Sequence, residues 1–178
     1  QGYDLIDFEG ERDLDPNLIR GVPPEKRLVS WHRDSIAVEA LSDRVRKITA
    51  TPARLYKLST TATSASHGLA PLTVLRSLNR TDVIAFAAGQ AGLWSRLLAP
   101  HFGAPFVFGV VGSRHDGLGE PTIGELVEDY GLPRLPHLGA LYGIVGSTVS
   151  HSLSPRLHNA AYKALGFPGL FVPFQEDS

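Results

Sequence analysis

The chain has 178 residues, of which 43% are apolar and 20% are charged, and its formal net charge is −1. Its 17 Lys and Arg are scattered and balanced by 18 Asp and Glu, which argues against a nucleic-acid-binding surface. Cysteine and methionine are both absent, so disulfides and thiolate metal or redox chemistry are excluded.

No apolar run approaches the roughly 18 residues that cross a bilayer, and the first ten residues are acidic where a signal peptide would be basic and then apolar. We therefore expect a soluble protein, cytoplasmic or, in a plant-like source, plastidic. Because the chain starts at Gln1 and contains no Met, we also expect it to be an internal piece of a longer protein or a processed one.

Five short segments in the first two-thirds of the chain are rich in β-branched and aromatic residues, which predicts strands. They are Tyr3–Glu9, Leu28–Arg33, Ala53–Thr60, Val83–Gly89 and Pro105–Gly112. Apolar residues three to four positions apart predict a helix after each of the last four strands. These helices are Ser35–Thr49, His67–Leu78, Leu93–Phe102 and Thr122–Tyr130. The alternation predicts an α/β fold with a parallel sheet, open or closed into a barrel.

Proline and glycine interrupt this pattern after the last predicted helix of the first unit. Pro133 and Pro136 prevent a helix or central strand there, so we interpret residues 132–139 as a linker. Residues 1–131 then form one unit and residues 140–178 begin another.

The second unit has its own β-α-β pattern. It comprises a strand at Leu141–Gly146, a polar turn at Ser147–Ser152, a helix from Ser154 to about Leu165 and a strand at Leu170–Phe174. Ser154 is a favourable N-cap, and Pro155 suits the first helical position.

Two residues of the first unit together suggest carbonyl chemistry. Lys57 lies in the middle of a predicted strand, where it is either a solvent-facing residue of an edge strand or an amine inside a barrel. His32 ends an earlier strand and is either a surface or capping residue or a base. A desolvated lysine beside a proton carrier is what Schiff-base chemistry requires, so we weigh the two residues together.

Six segments occur in an order and spacing that are more specific than any one of them. They are Leu5–Glu9 (LIDFE), Ser30–His32 (SWH), Leu55–Leu58 (LYKL), Gly92–Arg96 (GLWSR), His101–Gly103 (HFG) and Gly119–Ile123 (GEPTI). Together they resemble type I 3-dehydroquinate dehydratase, a (β/α)8 TIM barrel of the shikimate pathway. The resemblance implies that residues 1–131 are the C-terminal five β/α units of such a barrel.

The resemblance also assigns roles. Lys57 matches the lysine that forms an imine with the substrate ketone, for which its amine must be neutral. His32 matches the general base, which then acts as acid when the hydroxyl leaves as water. Arg96 matches the residue that grips the substrate carboxylate; without the resemblance it would read as an exposed helix arginine. The implied reaction converts 3-dehydroquinate to 3-dehydroshikimate without a cofactor. Asp7 and Glu9 either line the site or are plain loop-facing residues.

Two departures from the family pattern matter. Glu120 stands where the family usually has glutamine, and a carboxylate there repels an anionic substrate unless it is paired; Leu118 replaces a proline. In addition, only the last five of eight strands are present, so we expect the glutamate that partners the histidine, and further substrate-binding arginines, to be missing. Five strands cannot close a barrel, and we expect the 178 residues alone to be inactive.

Three segments of the second unit carry a second resemblance. They are Tyr142–Gly146 (YGIVG), Ser150–Pro155 (SHSLSP) and Leu157–Tyr162 (LHNAAY). They resemble the start of the α/β substrate-binding domain of shikimate dehydrogenase, where hydroxyls matching Ser152 and Ser154 hold the carboxylate of shikimate. The NADP site that this family implies lies outside the chain. We interpret His151 and His158 as structural or surface residues.

The two resemblances together imply a piece of a bifunctional 3-dehydroquinate dehydratase/shikimate dehydrogenase that acts on small molecules. Two alternatives stay open. A non-catalytic scaffold remnant is favoured slightly by Glu120 and disfavoured by the joint presence of the other site residues. Another Schiff-base barrel, such as an aldolase, explains Lys57 but neither the Gly-x-x-Ser-Arg segment nor the second unit.

Overall fold

The structure is a computed structural model that describes residues 2–113, 119–135 and 137–176. A four-stranded parallel sheet forms the centre of the first unit. Its strands pair in chain order and are β1 (Ile6–Glu9), β2 (Arg27–Asp34), β3 (Leu55–Thr61) and β4 (Val83–Ala88). The predicted α/β class and four of the five predicted strands are therefore confirmed.

The two faces of this sheet differ in chemistry. Phe8, Val29, Tyr56 and Val83 lie level with one another across the four strands, and all four are buried. Because side chains alternate along a strand, the residues between these positions face the opposite side. The polar residues of that opposite face, which we call the polar face, are Asp7, Glu9, Ser30, His32, Asp34, Lys57, Ser59 and Thr61.

Helices α2 (Val38–Ile48), α3 (Leu69–Leu78) and α4 (Leu93–Leu98) pack against the sheet. The short helix α1 (Pro16–Ile19) buries none of its residues, and α5 (Ile123–Glu128) adds Leu126 to the core. On α2 the buried side chains are Leu41, Val45 and Ile48, which have the spacing of one helical face. All four predicted helices form, but 3-10 turns replace the start of the second, at Ala65–Gly68, and the end of the third, at Ala99–Phe102.

The predicted strand Pro105–Gly112 is wrong. Its only pairing among the described residues is an isolated bridge between Val110 and Thr122. The backbone of Val110 is occupied by the loop that enters α5, since its N–H donates to Pro121 O and its carbonyl accepts from Ile123 N, both at 3.0 Å. β-branched and aromatic composition predicts an extended backbone but does not specify its partner. The described sheet of the first unit therefore has four strands instead of five.

The predicted strand, helix and strand of residues 140–178 are confirmed. Strands β5 (Ala140–Gly146) and β6 (Gly169–Gln175) pair in parallel, and α6 (Ser154–Leu165) connects them. The predicted cap is wrong, because the helix already begins at Ser154. The Ser152 hydroxyl accepts instead from Ser154 N, at 3.2 Å. In the predicted linker, residues 132–135 and 137–139 contain no helix or strand.

The two units share one hydrophobic core. Leu170 and Val172 of β6 are buried in the same cluster as the helices and strands of the first unit. The rings of Trp94, on α4, and Phe174, on β6, are 5.3 Å apart. None of the helices in the described ranges is both long and apolar enough to span a membrane.

A close backbone approach fixes the start of α4. A Cβ atom on Gly92 would collide with the carbonyl of Ala87, at the end of β4, far inside van der Waals contact. Backbone atoms cannot rotate away as a flexible side chain can. Glycine at this position is therefore required for α4 to pack against the sheet.

We predict that Gly92→Ala lowers the free energy of unfolding by about 2 kcal/mol or more, because overpacking against backbone must displace α4. Gly124→Ala is the matched control, since a Cβ there meets nothing closer than 3.8 Å. In a helix this exposed control change should be neutral or stabilise by up to about 0.5 kcal/mol. Urea unfolding of both variants tests the prediction, and equal midpoints would contradict it.

Candidate active site

Lys57 lies on the polar face, on an inner strand of the sheet. β3 has β2 on one side and β4 on the other, and the Lys57 side chain is only 15% exposed. Its Nζ is 3.7 Å from Asp7 Oδ2 and 4.9 Å above the centre of the Phe108 ring. The alternative of a solvent-facing edge lysine is therefore wrong, and the amine is held between a carboxylate and an aromatic ring.

His32 has an acidic partner in this chain. Its Nδ1 is 2.7 Å from Glu9 Oε2, and the imidazole is 46% exposed. A carboxylate only accepts hydrogen bonds, so the pairing places a proton on Nδ1 and leaves Nε2 as the acceptor. The expectation that the glutamate partner of the histidine is missing is wrong.

Strand register explains how this pair forms. Glu9 lies level with Ser30 on the neighbouring strand, and His32 follows Ser30 by two residues on the same face. Lys57 also lies level with Ser30, on the other side. Strand spacing and rise then put the α-carbons of Lys57 and His32 about 8 Å apart. The polar face thus brings an amine and an imidazole to one place.

Arg96 is buried, so the interpretation as an exposed helix arginine is wrong. Its side chain is 3% exposed, and its guanidinium carbon lies 4.3 Å from the centre of the Phe86 ring. Its Nη1 donates to Phe108 O at 3.1 Å, while Nη1 and Nη2 both lie 3.4 Å from Glu120 Oε1. Burial lowers the pKa of the Arg96 guanidinium, and the Glu120 carboxylate opposes this shift.

The carboxylate of Glu120 is therefore paired. The sequence pattern predicted that an unpaired carboxylate at this position would repel an anionic substrate, and the ion pair with Arg96 meets this objection. The loop that carries it is fixed by Gly119, whose φ is +62° and whose added Cβ would collide with the backbone of Gly89. The Glu120 side chain is 36% exposed. Leu118, the other departure in this loop, lies outside the described residues.

The serine of the Gly-x-x-Ser-Arg segment has a local structural role. The buried Ser95 Oγ accepts from Ala87 N at 2.9 Å and donates to Gly92 O at 2.7 Å. It thereby joins the end of β4 to the start of α4. This link places Arg96, the next residue, against Phe108.

Arg96 and Lys57 both contact Phe108. Arg96 donates a hydrogen bond to its carbonyl, and Lys57 lies over its ring. These groups suit a small molecule that carries both an anionic group and a carbonyl. The guanidinium can pair with the anion, and the shielded amine and the imidazole can act on the carbonyl. In the described part of the chain, no group of three or more His, Asp and Glu side chains is arranged to hold a metal ion.

A cavity of about 590 Å³ lies between the first unit and the polar turn of the second. Glu120 and Gln90 line one side of it, and Ser152 and His151 line the other. Ser154 starts α6 next to this turn. His158 stacks on Phe171 with 4.4 Å between ring centres, which agrees with a structural interpretation.

Sequence comparison decides the family of the first unit. The profile of the type I 3-dehydroquinase family matches residues 1–134. The chain belongs to this family. Its glutamate–histidine pair, buried arginine and shielded lysine are therefore features of a 3-dehydroquinase domain.

Proteins with two functions are among the relatives of this chain. The chain is 35% identical to the bifunctional 3-dehydroquinate dehydratase/shikimate dehydrogenase, chloroplastic, of Arabidopsis thaliana, over 99% of this chain and 30% of the relative. A solved structure of dehydroquinate dehydratase and shikimate dehydrogenase from S. pombe AroM matches with a TM-score of 0.53 and 25% identity, over 99% of this chain and 34% of that one. The chain thus spans about a third of each of these proteins.

A shorter match is to a one-function protein. Over 35 residues, 20% of this chain, the chain is 51% identical to shikimate dehydrogenase (NADP(+)) of Pelobacter propionicus, of which the match covers 13%.

Glu9 is held by residues that the sequence did not single out. Its backbone N–H donates to Asp13 Oδ2 at 3.0 Å, which closes the turn after β1. Glu11, in the same turn, accepts from Trp31 Nε1 at 3.1 Å and pairs with Arg44 at 2.7 Å and with Arg33. The hydrogen bond from Trp31 lowers the pKa of Glu11.

A signal for Glu9 was present in the sequence. Asp7 and Glu9 alternate along a strand, so both must lie on the same face as the histidine if the strands are in register. Asp13 and Glu11 carried no such signal, because their contacts depend on the shape of a turn.

We predict a pH-dependent effect of Asp13→Asn on the stability of this protein. Hydrogen bonds from Arg12 and from the backbone of Glu9 lower the pKa of Asp13 to about 2 from 3.8. A lowered pKa in the folded state means that the carboxylate stabilises the fold above pH 3.8 and loses this contribution as the pH falls through 2.

Wild type should therefore be the more stable protein at neutral pH, by a small margin since the pair is solvent-screened, and the difference should be smaller near pH 2. Urea unfolding at both pH values measures it. A difference independent of pH would show that the asparagine acts through shape and not through charge.

Proposed function

We propose that this protein is a shikimate-pathway enzyme whose first unit dehydrates 3-dehydroquinate to 3-dehydroshikimate through a Schiff base. The observation that carries the proposal is the polar face, where Lys57 is shielded and His32 is paired with Glu9. Family membership and the bifunctional relatives support the same activity.

Lys57 supplies the nucleophile. Its neutral amine adds to the substrate ketone, and loss of one water leaves a C=N bond where the C=O bond was. Once protonated, this imine accepts the electron pair of the neighbouring C–H bond when the proton leaves. The ring of Phe108 and the low exposure of the side chain shield the amine from water.

His32 moves the proton. Nε2 takes the proton from the carbon beside the imine, and the resulting imidazolium is stabilised by Glu9 at Nδ1. The same proton then goes to the β-hydroxyl, which leaves as water. Hydrolysis of the imine returns Lys57 and releases 3-dehydroshikimate, so the chemistry needs no cofactor.

Arg96 binds the carboxylate of the substrate. Its buried guanidinium has an Nε with no partner among the described residues, and its contacts to Glu120 are long, at 3.4 Å. A substrate carboxylate in bidentate geometry is the better partner. We therefore propose that Glu120 competes with the substrate carboxylate for Arg96. Asp7 is the carboxylate beside Lys57.

The second unit is proposed to begin the substrate-binding domain of shikimate dehydrogenase. Ser152 and Ser154, at the N-terminus of α6, would hold the carboxylate of shikimate. Reduction of 3-dehydroshikimate would use NADP bound outside these 178 residues. We likewise propose residues 1–131 as the C-terminal part of a TIM barrel, and we keep residues 132–139 as the linker. The chloroplastic Arabidopsis relative supports a plastid location if the source is plant-like. For any other source we propose the cytoplasm.

We predict that 3-dehydroquinate and borohydride leave a reduced adduct on Lys57. The protein expressed from its complete native reading frame is treated with both reagents, and its peptides are analysed by mass spectrometry. Lys47, on α2, is the internal control and should stay unmodified. Absence of the adduct from Lys57 would refute the Schiff-base mechanism and favour the scaffold alternative.

The variant His32→Ala separates imine formation from proton transfer. It should still form the adduct, while kcat falls about a hundredfold or more, the usual contribution of a general base. Loss of the adduct in this variant would mean that His32 is needed for imine formation itself. An adduct formed equally well with unrelated aldehydes would instead favour an aldolase-type barrel.

We predict that Glu120→Gln lowers KM for 3-dehydroquinate about three- to fivefold, because Arg96 loses a competing carboxylate. Glu128→Gln, on the exposed side of α5, makes the same change of charge without contact to Arg96 and should leave KM unchanged. Steady-state kinetics of both variants tests this. A rise in KM for Glu120→Gln would identify Glu120 as a direct contact of the substrate.

A further inference from the structure

Helix α4 is buried on every side. All six of its residues, including Arg96, have little solvent exposure. β4 and α3 cover one side of the helix. Strand β6 of the second unit covers another, where Trp94 meets Phe174 with 5.3 Å between ring centres. The helix that presents the buried arginine is therefore held between the two units.

The segment that follows β3 is also held between α4 and the end of β6. The carbonyl of Ala65 accepts from Trp94 Nε1 at 3.0 Å, and its N–H donates to Glu176 Oε2 at 2.7 Å. Both polar groups of one alanine are thus satisfied by α4 and by the residue that follows β6. Glu176 also places a negative charge at the start of the 3-10 turn Ala65–Gly68, where the N–H groups point outward.

Gly68 makes this joint tight. A Cβ atom on Gly68 would lie 2.7 Å from the indole of Trp94, so the turn and the ring are in direct contact. Movement of Trp94 must therefore move the turn as well. β3, which carries Lys57, leads into this turn.

We propose that the end of β6 is a positioning element for the active site of the first unit. Phe174 fixes Trp94, and Glu176 fixes Ala65, so the second unit sets the position of α4 and of the segment after β3. Phe174 and Glu176 touch none of the proposed reacting groups and act through these neighbours. The kinetic consequence rests on the proposed dehydratase function, whereas the structural coupling does not.

Hydrogen exchange at the amide of Ala65, followed by NMR, tests the coupling directly. Glu176→Ala and Phe174→Ala should each speed this exchange at least about fivefold, the effect of losing one ordinary hydrogen bond. Glu176→Gln keeps an accepting oxygen and should restore slow exchange. Phe171→Ala removes the same ring from the other face of β6 and should leave the amide of Ala65 protected.

The kinetic arm uses the protein expressed from its complete native reading frame. KM for 3-dehydroquinate should rise about fivefold in Glu176→Ala and in Phe174→Ala, with little change in kcat, because Arg96 loses its position while Lys57 and His32 keep theirs. Glu176→Gln and Phe171→Ala should match wild type.

Unchanged exchange at Ala65 in both alanine variants would overturn the inference. Faster exchange with unchanged KM would overturn its catalytic part. If wild type itself lacks dehydratase activity, the proposed function fails, and the exchange measurement still decides whether the second unit holds Ala65. Glu176→Ala removes only a carboxylate contact at the surface and should fold. The exchange measurement can therefore be made on this variant even if Phe174→Ala does not fold.

Discussion

The alternation of side chains along four parallel strands in register is the constraint on which the rest of the structure depends. It places Phe8, Val29, Trp31, Tyr56 and Leu58 in the core and brings the polar residues between them to the opposite face. Glu9, His32 and Lys57 share that face because Glu9 and Lys57 are level with Ser30 and His32 follows Ser30 by two residues. A shift of any strand by one residue would bury the charged groups and expose the apolar ones.

Local pattern predicted the elements well, since a helix or strand is encoded by the spacing of its own apolar residues. It failed where a residue's partner is distant. Pro105–Gly112 has the composition of a strand, but the backbone of Val110 forms its bridge with Thr122 and donates to Pro121. Contacts such as that between Ala65 and Glu176, which lie 111 positions apart, leave no trace in local pattern.

The residues of the candidate site could be predicted where a sequence motif and the alternation of side chains along a strand indicated the same residue. Lys57, His32 and Arg96 carried motif signals, and the structure adds their burial and partners. Glu9 was present in the pattern but was discounted, because the acidic partner was expected on a strand outside the chain. Its pairing with His32 depends on register, which the sequence does not state. The turn residues around it, Glu11 and Asp13, depend on backbone shape and had no signal at all.

The single hydrophobic cluster has a consequence for cooperativity. Leu170 and Val172 complete a core whose other members come from the helices and strands of the first unit, so neither half can lose its packing without exposing apolar surface on the other. The boundary drawn by motifs is thus not a boundary of folding. The two halves should melt as one thermodynamic unit, and a gene that separated them would have to replace the surface that each gives the other.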